Sequence, residues 1–236
     1  MQVRRRDELH HLQYVLMPGD KATFLDYAEQ AGIDFAKYPM EVELSEIELS
    51  GMLMTNEDFE TTVAGLYNGC VFYNFSGSLC SGHIAGIHAA QSLSEHRPPE
   101  AVDAHEIAAE KRRILKPLAD PGELKPEYVE SVIRQVMKYY MGFVRNEKGM
   151  QAALDKLRFV EGYLPELGAA NYHELMKANE AAHLLKICQL AVAATMQRRE
   201  SGRALYQRSD FPDLDDRYAN ILALWQSEGE MQHDWL

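Results

Sequence analysis

The sequence predicts an α+β chain: a small α/β sheet segment, then a helical bundle, then a folded-back C-terminal tail. Three observations carry this reading. Short apolar runs punctuated by Gly and Pro fill the first hundred residues. Long segments with helical apolar spacing follow, and a polar, Asp-rich stretch comes after residue 200. The corresponding divisions are 1–99, 100–200 and 201–236.

Taken in order, Leu12 to Met17 reads as a strand closed by the turn pair Pro18-Gly19. Asp20 then caps a short helix over 21–31 that stops at Gly32. Val42, Leu44 and Ile47 lie in a segment ending at Gly51, and Met52 to Thr55 is the next candidate strand. Thr61 to Tyr67 leads into a strand-like run to Phe72, followed by a loop from Asn74 to Gly77 and a helix over about 78–94. Strand, Gly/Ser-rich loop and helix in this order aim backbone N–H groups and the positive end of a helix dipole at an anion. His96 to Asp103, with Pro98-Pro99, reads as a linker.

Helices then dominate from 104 to 200. Over 126–145, Pro126 occupies a first-turn position, and Val129, Val132, Ile133, Val136, Met137, Tyr140, Met141 and Val144 keep to one face. A further helix fits 148–164, with Met150, Ala153, Leu154, Leu157 and Val160 inward. The helix over 172–200 opens on Asn171 and Glu174 in capping-box spacing and is apolar on most faces through its middle, as a helix packed on several sides would be. Asp210 to Asp216 is a polar turn region, and Tyr218, Ile221, Leu222 and Trp225 suggest a last amphipathic helix.

A chain of 236 residues with 46% apolar content can bury a real core. Its formal charge of -12 argues against a nucleic-acid backbone or an anionic membrane as partner, since both reward clustered Lys and Arg. No apolar run is long enough to span a bilayer and the start has no signal-peptide core, so a soluble cytoplasmic chain is expected. Cys70, Cys80 and Cys188 show no metal-binding or disulfide spacing and are expected as reduced, mostly buried thiols. Any iron–sulfur cluster serving this system would therefore sit on another chain.

Gly65-Leu66-Tyr67, Phe75-Ser76-Gly77-Ser78, the helix entered at Asn179-Glu180-Ala181-Ala182-His183, and the exit through Arg199-Glu200-Ser201-Gly202-Arg203, Ser209-Asp210-Phe211-Pro212 and Asp215-Asp216 form an ordered series. In this order they resemble the C-terminal half of the flavoprotein subunits of fumarate reductase, succinate dehydrogenase and L-aspartate oxidase. The loop Phe75 to Leu79 with Gly82 is more similar to the alpha subunit of dissimilatory adenylylsulfate reductase. The resemblance implies that Ser76, Gly77, Ser78 and Leu79 lie against a flavin ring, with the helix dipole stabilising negative charge on the reduced ring. An ordinary loop-to-helix junction with Ser78 as N-cap is the competing reading.

Departures from the family pattern are equally specific. Where relatives carry Ala-Ala-Gly and an acid that bonds the ribityl chain, this sequence has Asn68, Gly69, Cys70 and Val71. The position nearest a substrate-polarising His is Glu46, and the Tyr73 to Phe75 loop stands where an Arg would. The exit reads Glu200-Ser201-Gly202-Arg203 in place of Glu-Ser-Arg-Gly. Glu46 and Arg203 are the catalytic candidates that the resemblance leaves; Arg203 could equally form a structural ion pair, for instance with Asp210 or Asp215.

Glu8/His11, Glu180/His183 and Glu230/His233 share the Glu-x-x-His spacing of di-iron bundles, a separate enzyme class. Cys80 and His83 share a helix face without a third, orienting group. The leading expectation is one subunit, or the C-terminal portion, of a split FAD-dependent oxidoreductase. Its partner would supply the dinucleotide-binding half and share the FAD, with an iron–sulfur subunit as a further candidate partner. A non-catalytic scaffold that keeps the family fold without flavin is the alternative.

Overall fold

The computed structural model describes residues 30–34, 37, 51–72, 74–95, 103–204, 206–227 and 230–236. The chain divides into two units, Met1–Ser45 and Glu46–Leu236. In the first, Gln30 is helical and Gly32, with φ of +70°, occupies the left-handed conformation that ends helices, as expected at that position. The strand at 12–17 and the segment around Val42 to Ile47 lie outside the described residues.

Among the described residues, the second unit has five α-helices: α1 (Phe75–Glu95), α2 (Ala104–Ala119), α3 (Pro126–Tyr140), α4 (Glu147–Glu161) and α5 (Tyr172–Gln197). Four short strands accompany them: β1 (Val144–Arg145), β2 (Gln207–Arg208), β3 (Leu222–Ser227) and β4 (Glu230–Trp235). β1 and β2 pair in parallel, and β3 and β4 form an antiparallel hairpin. This is the mixed helical and small-sheet architecture that the sequence predicts. The runs at 52–55 and 61–72 form single bridges, Thr55 to Thr61 and Glu60 to Tyr67, in place of ladder strands.

The core lies among α3, α4 and α5. Val129, Ile133 and Val136 of α3 meet Met150, Ala153, Leu157 and Val160 of α4, and Ala178, Ala181, Leu185, Cys188 and Val192 of α5. Each set repeats at three- and four-residue intervals, so each helix turns one stripe inward. α5 packs against α2, α3 and α4, which explains its apolar character on several sides, although Met176, Ile187 and Leu190 remain exposed.

Local chemistry sets the helix ends. Asn171 Oδ1 accepts from the Glu174 amide at 3.0 Å, while the Glu174 carboxylate accepts from the Ala170 amide at 2.9 Å, one residue before the usual reciprocal partner of a capping box. Asn146 caps α4 through the Gly149 amide, and Asp103 caps α2 through that of His105.

α3 ends at Tyr140, short of the predicted 145. Arg145 turns back so that its Nε donates to the carbonyls of Met141 and Gly142, satisfying the helix C-terminus with a cation. Residues 143–145 then pair with 207–209 through Gln207 N to Phe143 O at 2.8 Å and Ser209 N to Arg145 O at 2.9 Å. Val144, predicted on the buried helical face, is consequently exposed.

The predicted C-terminal helix is instead the β3–β4 hairpin. Leu222 pairs with Trp235 and Ser227 with Glu230. The Arg198 guanidinium lies 4.8 Å from the centre of the Trp235 ring, whose edge meets Tyr218 at a centroid distance of 5.2 Å. These contacts attach the hairpin to the end of α5. Long-range packing has overridden the helical spacing of Tyr218, Ile221, Leu222 and Trp225.

Leu157 is fully buried between helices, so Leu157→Ala removes packed methyl groups and leaves a cavity. A loss of about 3 kcal/mol in urea unfolding is expected, whereas Phe159→Ala, on the exposed side of the same helix, should cost about 1 kcal/mol or less.

Candidate functional site

The loop–helix junction expected to face a flavin is built around α1. Asn74, rather than Ser78, is its cap: Asn74 Oδ1 accepts from the Gly77 amide, and the Asn74 carbonyl accepts from Ser78 N at 2.9 Å. Ser76, Gly77, Ser78 and Leu79 therefore occupy the first turns of the helix. The amides of Ser78 and Leu79 lie beyond the first three of the helix, where N–H groups enter the helical ladder. Among the described residues, the amides of Phe75 and Ser76 have no acceptor, leaving two N–H donors at the positive end of the helix dipole. The Asn74 cap and the Phe75 amide were not singled out from sequence, although an Asn just before an apolar helix start is the usual cap signal.

The remaining groups of the junction are committed internally. Ser78 Oγ donates to Phe72 O at 2.6 Å and lies 3.3 Å from Cys70 Sγ. Ser81, fully buried, donates to Gly69 O at 2.9 Å. A Cβ on Gly77 would lie 2.6 Å from Phe72 Cβ, so only glycine lets the 69–72 segment run this close to the helix. His88 Nε2 reaches Asp58 Oδ1 at 3.2 Å, tying the preceding loop to the same helix. Leu79 and Phe75 are 59% and 84% exposed, so the first turn presents an apolar surface beside its donors.

Arg203 lies in a separate network, and no hydrogen bond or ion pair among the described residues joins it to α1. Its Nε donates to both oxygens of Glu200, at 3.1 and 3.4 Å, and its Nη2 to Asp216 at 3.3 Å. The expected partners Asp210 and Asp215 instead bind Arg208 and Arg217. The Glu200 side chain is completely buried and also accepts from Arg198 and from the Asp215 amide. Burial pushes its carboxyl up, but the Asp215 amide and the guanidinium groups of Arg198 and Arg203 outweigh this and hold it below its ordinary value.

Arg208 has no solvent-accessible side-chain surface. Its Nε and Nη2 each donate to Asp210 at 2.8 Å, and its Nη1 to the carbonyls of Thr195 and Arg198 at 3.2 and 2.9 Å. Asp210 in turn accepts from the Glu147 amide at the start of α4, at 2.8 Å. The guanidinium beside it draws the Asp210 carboxyl down to about 2.

Glu46 and the Glu8/His11 pair lie outside the described residues. Glu180 and His183 are both on the exposed side of α5. Glu230 and His233 stand three apart on strand β4, so the helical premise of their spacing fails there. Among the described residues, no group of three or more His, Cys, Asp or Glu could hold a metal ion. Cys188 is buried, and burial raises its pKa, but Cys70 and Cys80 are exposed, contrary to expectation. No described helix is long and apolar enough to cross a membrane.

Residues 130–235, spanning α3 through the terminal hairpin, match the fumarate reductase flavoprotein C-terminal family. Over this stretch the chain is similar to the C-terminal part of fumarate reductase flavoproteins. Similar proteins include an FAD-dependent oxidoreductase of Methanocaldococcus jannaschii, 27% identical over 91% of this chain and 42% of that protein. The L-aspartate oxidase of Pseudomonas aeruginosa is 26% identical over 78% of this chain and 35% of its own length. The chain thus spans less than half of the curated relatives it matches. Among solved structures, adenylylsulfate reductase of Archaeoglobus fulgidus superposes with a TM-score of 0.64 at 24% identity, over 68% of this chain and 28% of that one. E. coli quinol fumarate reductase gives 0.59 at 18% identity, over 68% and 29%. The shared fold includes the adenylylsulfate reductase likeness expected from the Phe75 to Gly82 segment.

Asp210 contributes stability that is present above its unfolded pKa and lost as pH falls through its folded value. Asp210→Asn should therefore lower stability by about 2 kcal/mol near neutral pH, a difference that shrinks between about pH 4 and pH 2 as the wild-type carboxylate takes up its proton. Urea unfolding of both proteins across that range reads this directly.

Proposed function

We propose that this chain is the C-terminal part of a split FAD-dependent oxidoreductase of the fumarate reductase and adenylylsulfate reductase class. A partner carries the dinucleotide-binding half, the FAD is shared between them, and the complex works in the cytoplasm. The observation that carries this reading is the start of α1, whose first turn offers the Phe75 and Ser76 amides and a helix dipole at the position the family resemblance assigns to the flavin ring. The likeness of residues 130–235 to the fumarate reductase flavoprotein C-terminal family and the partial coverage of every relative named above support it.

On this reading, residues 1–99 are a partial flavin-binding and capping segment, 100–200 the bundle supporting it, and 201–236 the tail. Ser76, Gly77, Ser78 and Leu79 border the flavin, and Glu46 and Arg203 are the substrate-side candidates. Bound flavin would supply the hydride or electron-pair transfer, while this chain orients it and stabilises negative charge on its reduced form. The three cysteines leave any iron–sulfur cluster to a further subunit.

Ser76→Glu tests the assignment with little risk to folding, because an acid in the first turn suits the helix dipole. The tagged full chain, recovered with its partner from its home cell, should carry FAD. The variant complex should show a more negative flavin reduction potential, because the added carboxylate repels the reduced anion. A complex without flavin, or a potential unmoved by the substitution, contradicts the assignment; the flavin-free result favours the scaffold reading.

A further inference from the structure

The outer face of α1 has the composition of a buried surface while standing open. No residue of this helix before Glu95 is Asp, Glu, Lys or Arg, in a chain with a formal charge of -12. A helix side that faces water ordinarily carries charge. Here Phe75, Leu79, His83, Gly86, Ile87 and Ala90 form a contiguous stripe at three- and four-residue spacing, all exposed. The opposite side of the helix is the one used internally, through Ser78, Ser81, Gly82 and Ala85.

Gly86 sharpens the point. Gly77 and Gly82 have internal reasons, since a Cβ at Gly82 would lie 3.2 Å from Gly69 O. A Cβ at Gly86 would meet nothing within 4 Å. Glycine inside a helix is less stable than alanine there, and nothing among the described residues offsets that at Gly86.

We infer that the Phe75, Leu79, His83, Gly86, Ile87 and Ala90 face is the docking surface for the dinucleotide-binding half, which lays an uncharged apolar surface against α1 with its closest approach at Gly86. The inference rests on the split-flavoprotein reading. Three observations choose this occupant. The part of the relatives that the chain does not span is more than half of their length. The stripe is continuous with the first turn that offers the Phe75 and Ser76 donors, so a partner seated on it forms the second wall of the same flavin site. A second copy of this chain would bring together two bodies each of charge -12 around a neutral patch.

Gly86→Leu is the decisive variant, because the chain itself has room for the side chain and the helix gains intrinsic propensity. In the tagged full chain expressed in its home cell, its thermal midpoint should equal or exceed that of the wild type. Recovery of the FAD-bearing partner should fall by about tenfold, equivalent to about 1.4 kcal/mol of binding. A photo-crosslinking residue at position 87 should join peptides of a polypeptide carrying Gly-x-Gly-x-x-Gly, whereas one at exposed Tyr139 should not. A flavin-bearing complex recovered undiminished with Gly86→Leu, and cross-linked through 139 rather than 87, overturns this docking face and leaves the split-enzyme reading standing. Cross-links from 87 to a second copy of this chain overturn the face in favour of self-association. Absence of any flavin-bearing partner overturns both.

Discussion

A guanidinium with no access to water organises the C-terminal part of this protein. Taking Arg208 out of solvent would cost several kcal/mol if its donors were left unmet. They are met by Asp210 and by the carbonyls of Thr195 and Arg198. Because Asp210 also accepts from the first amide of α4, one side chain joins the end of α5, the start of α4 and β2. The exit from α5 is therefore an electrostatic lock set on the apolar bundle. Next to it, Glu200 gathers Arg198, Arg203 and the Asp215 amide, and Arg198 carries the connection onward to Trp235 and the hairpin. This arrangement gives Arg203 a structural role that any catalytic one must share.

What was legible in the sequence followed from short-range physics. α3, α4 and α5 announce themselves through the spacing of their buried residues, and α3 and α5 also through Pro126 and Asn171 at their starts. The errors fall where distant partners decide. α3 stops early because Arg145 caps it and the next residues pair with 207–209, a contact more than sixty positions away. The hairpin replaces a predicted helix because Tyr218 and Trp235 pack beside Arg198, which no local window contains. At the candidate site, the Gly/Ser loop was visible, but the helix starts three residues earlier than predicted because Asn74 takes the cap.

The two ends of the described chain differ in kind. In the bundle and tail, the buried apolar stripes face one another and the buried charges are paired. α1 differs. It holds the 69–72 segment closely on one side, while elsewhere it shows uncharged residues, the exposed Cys80 thiol and a glycine whose added Cβ would meet nothing within 4 Å. In the proposed split arrangement, this asymmetry is that of one side of a domain interface.

The most direct test of the account is a structure, by electron cryomicroscopy or crystallography, of the complex recovered on this chain from its home cell. The account predicts a flavin ring against the Phe75 and Ser76 amides, its dinucleotide end held by the partner, and the partner's surface seated on the Leu79 to Ala90 face of α1. A complex with no flavin, or with flavin held wholly within the partner and α1 still facing solvent, would contradict it.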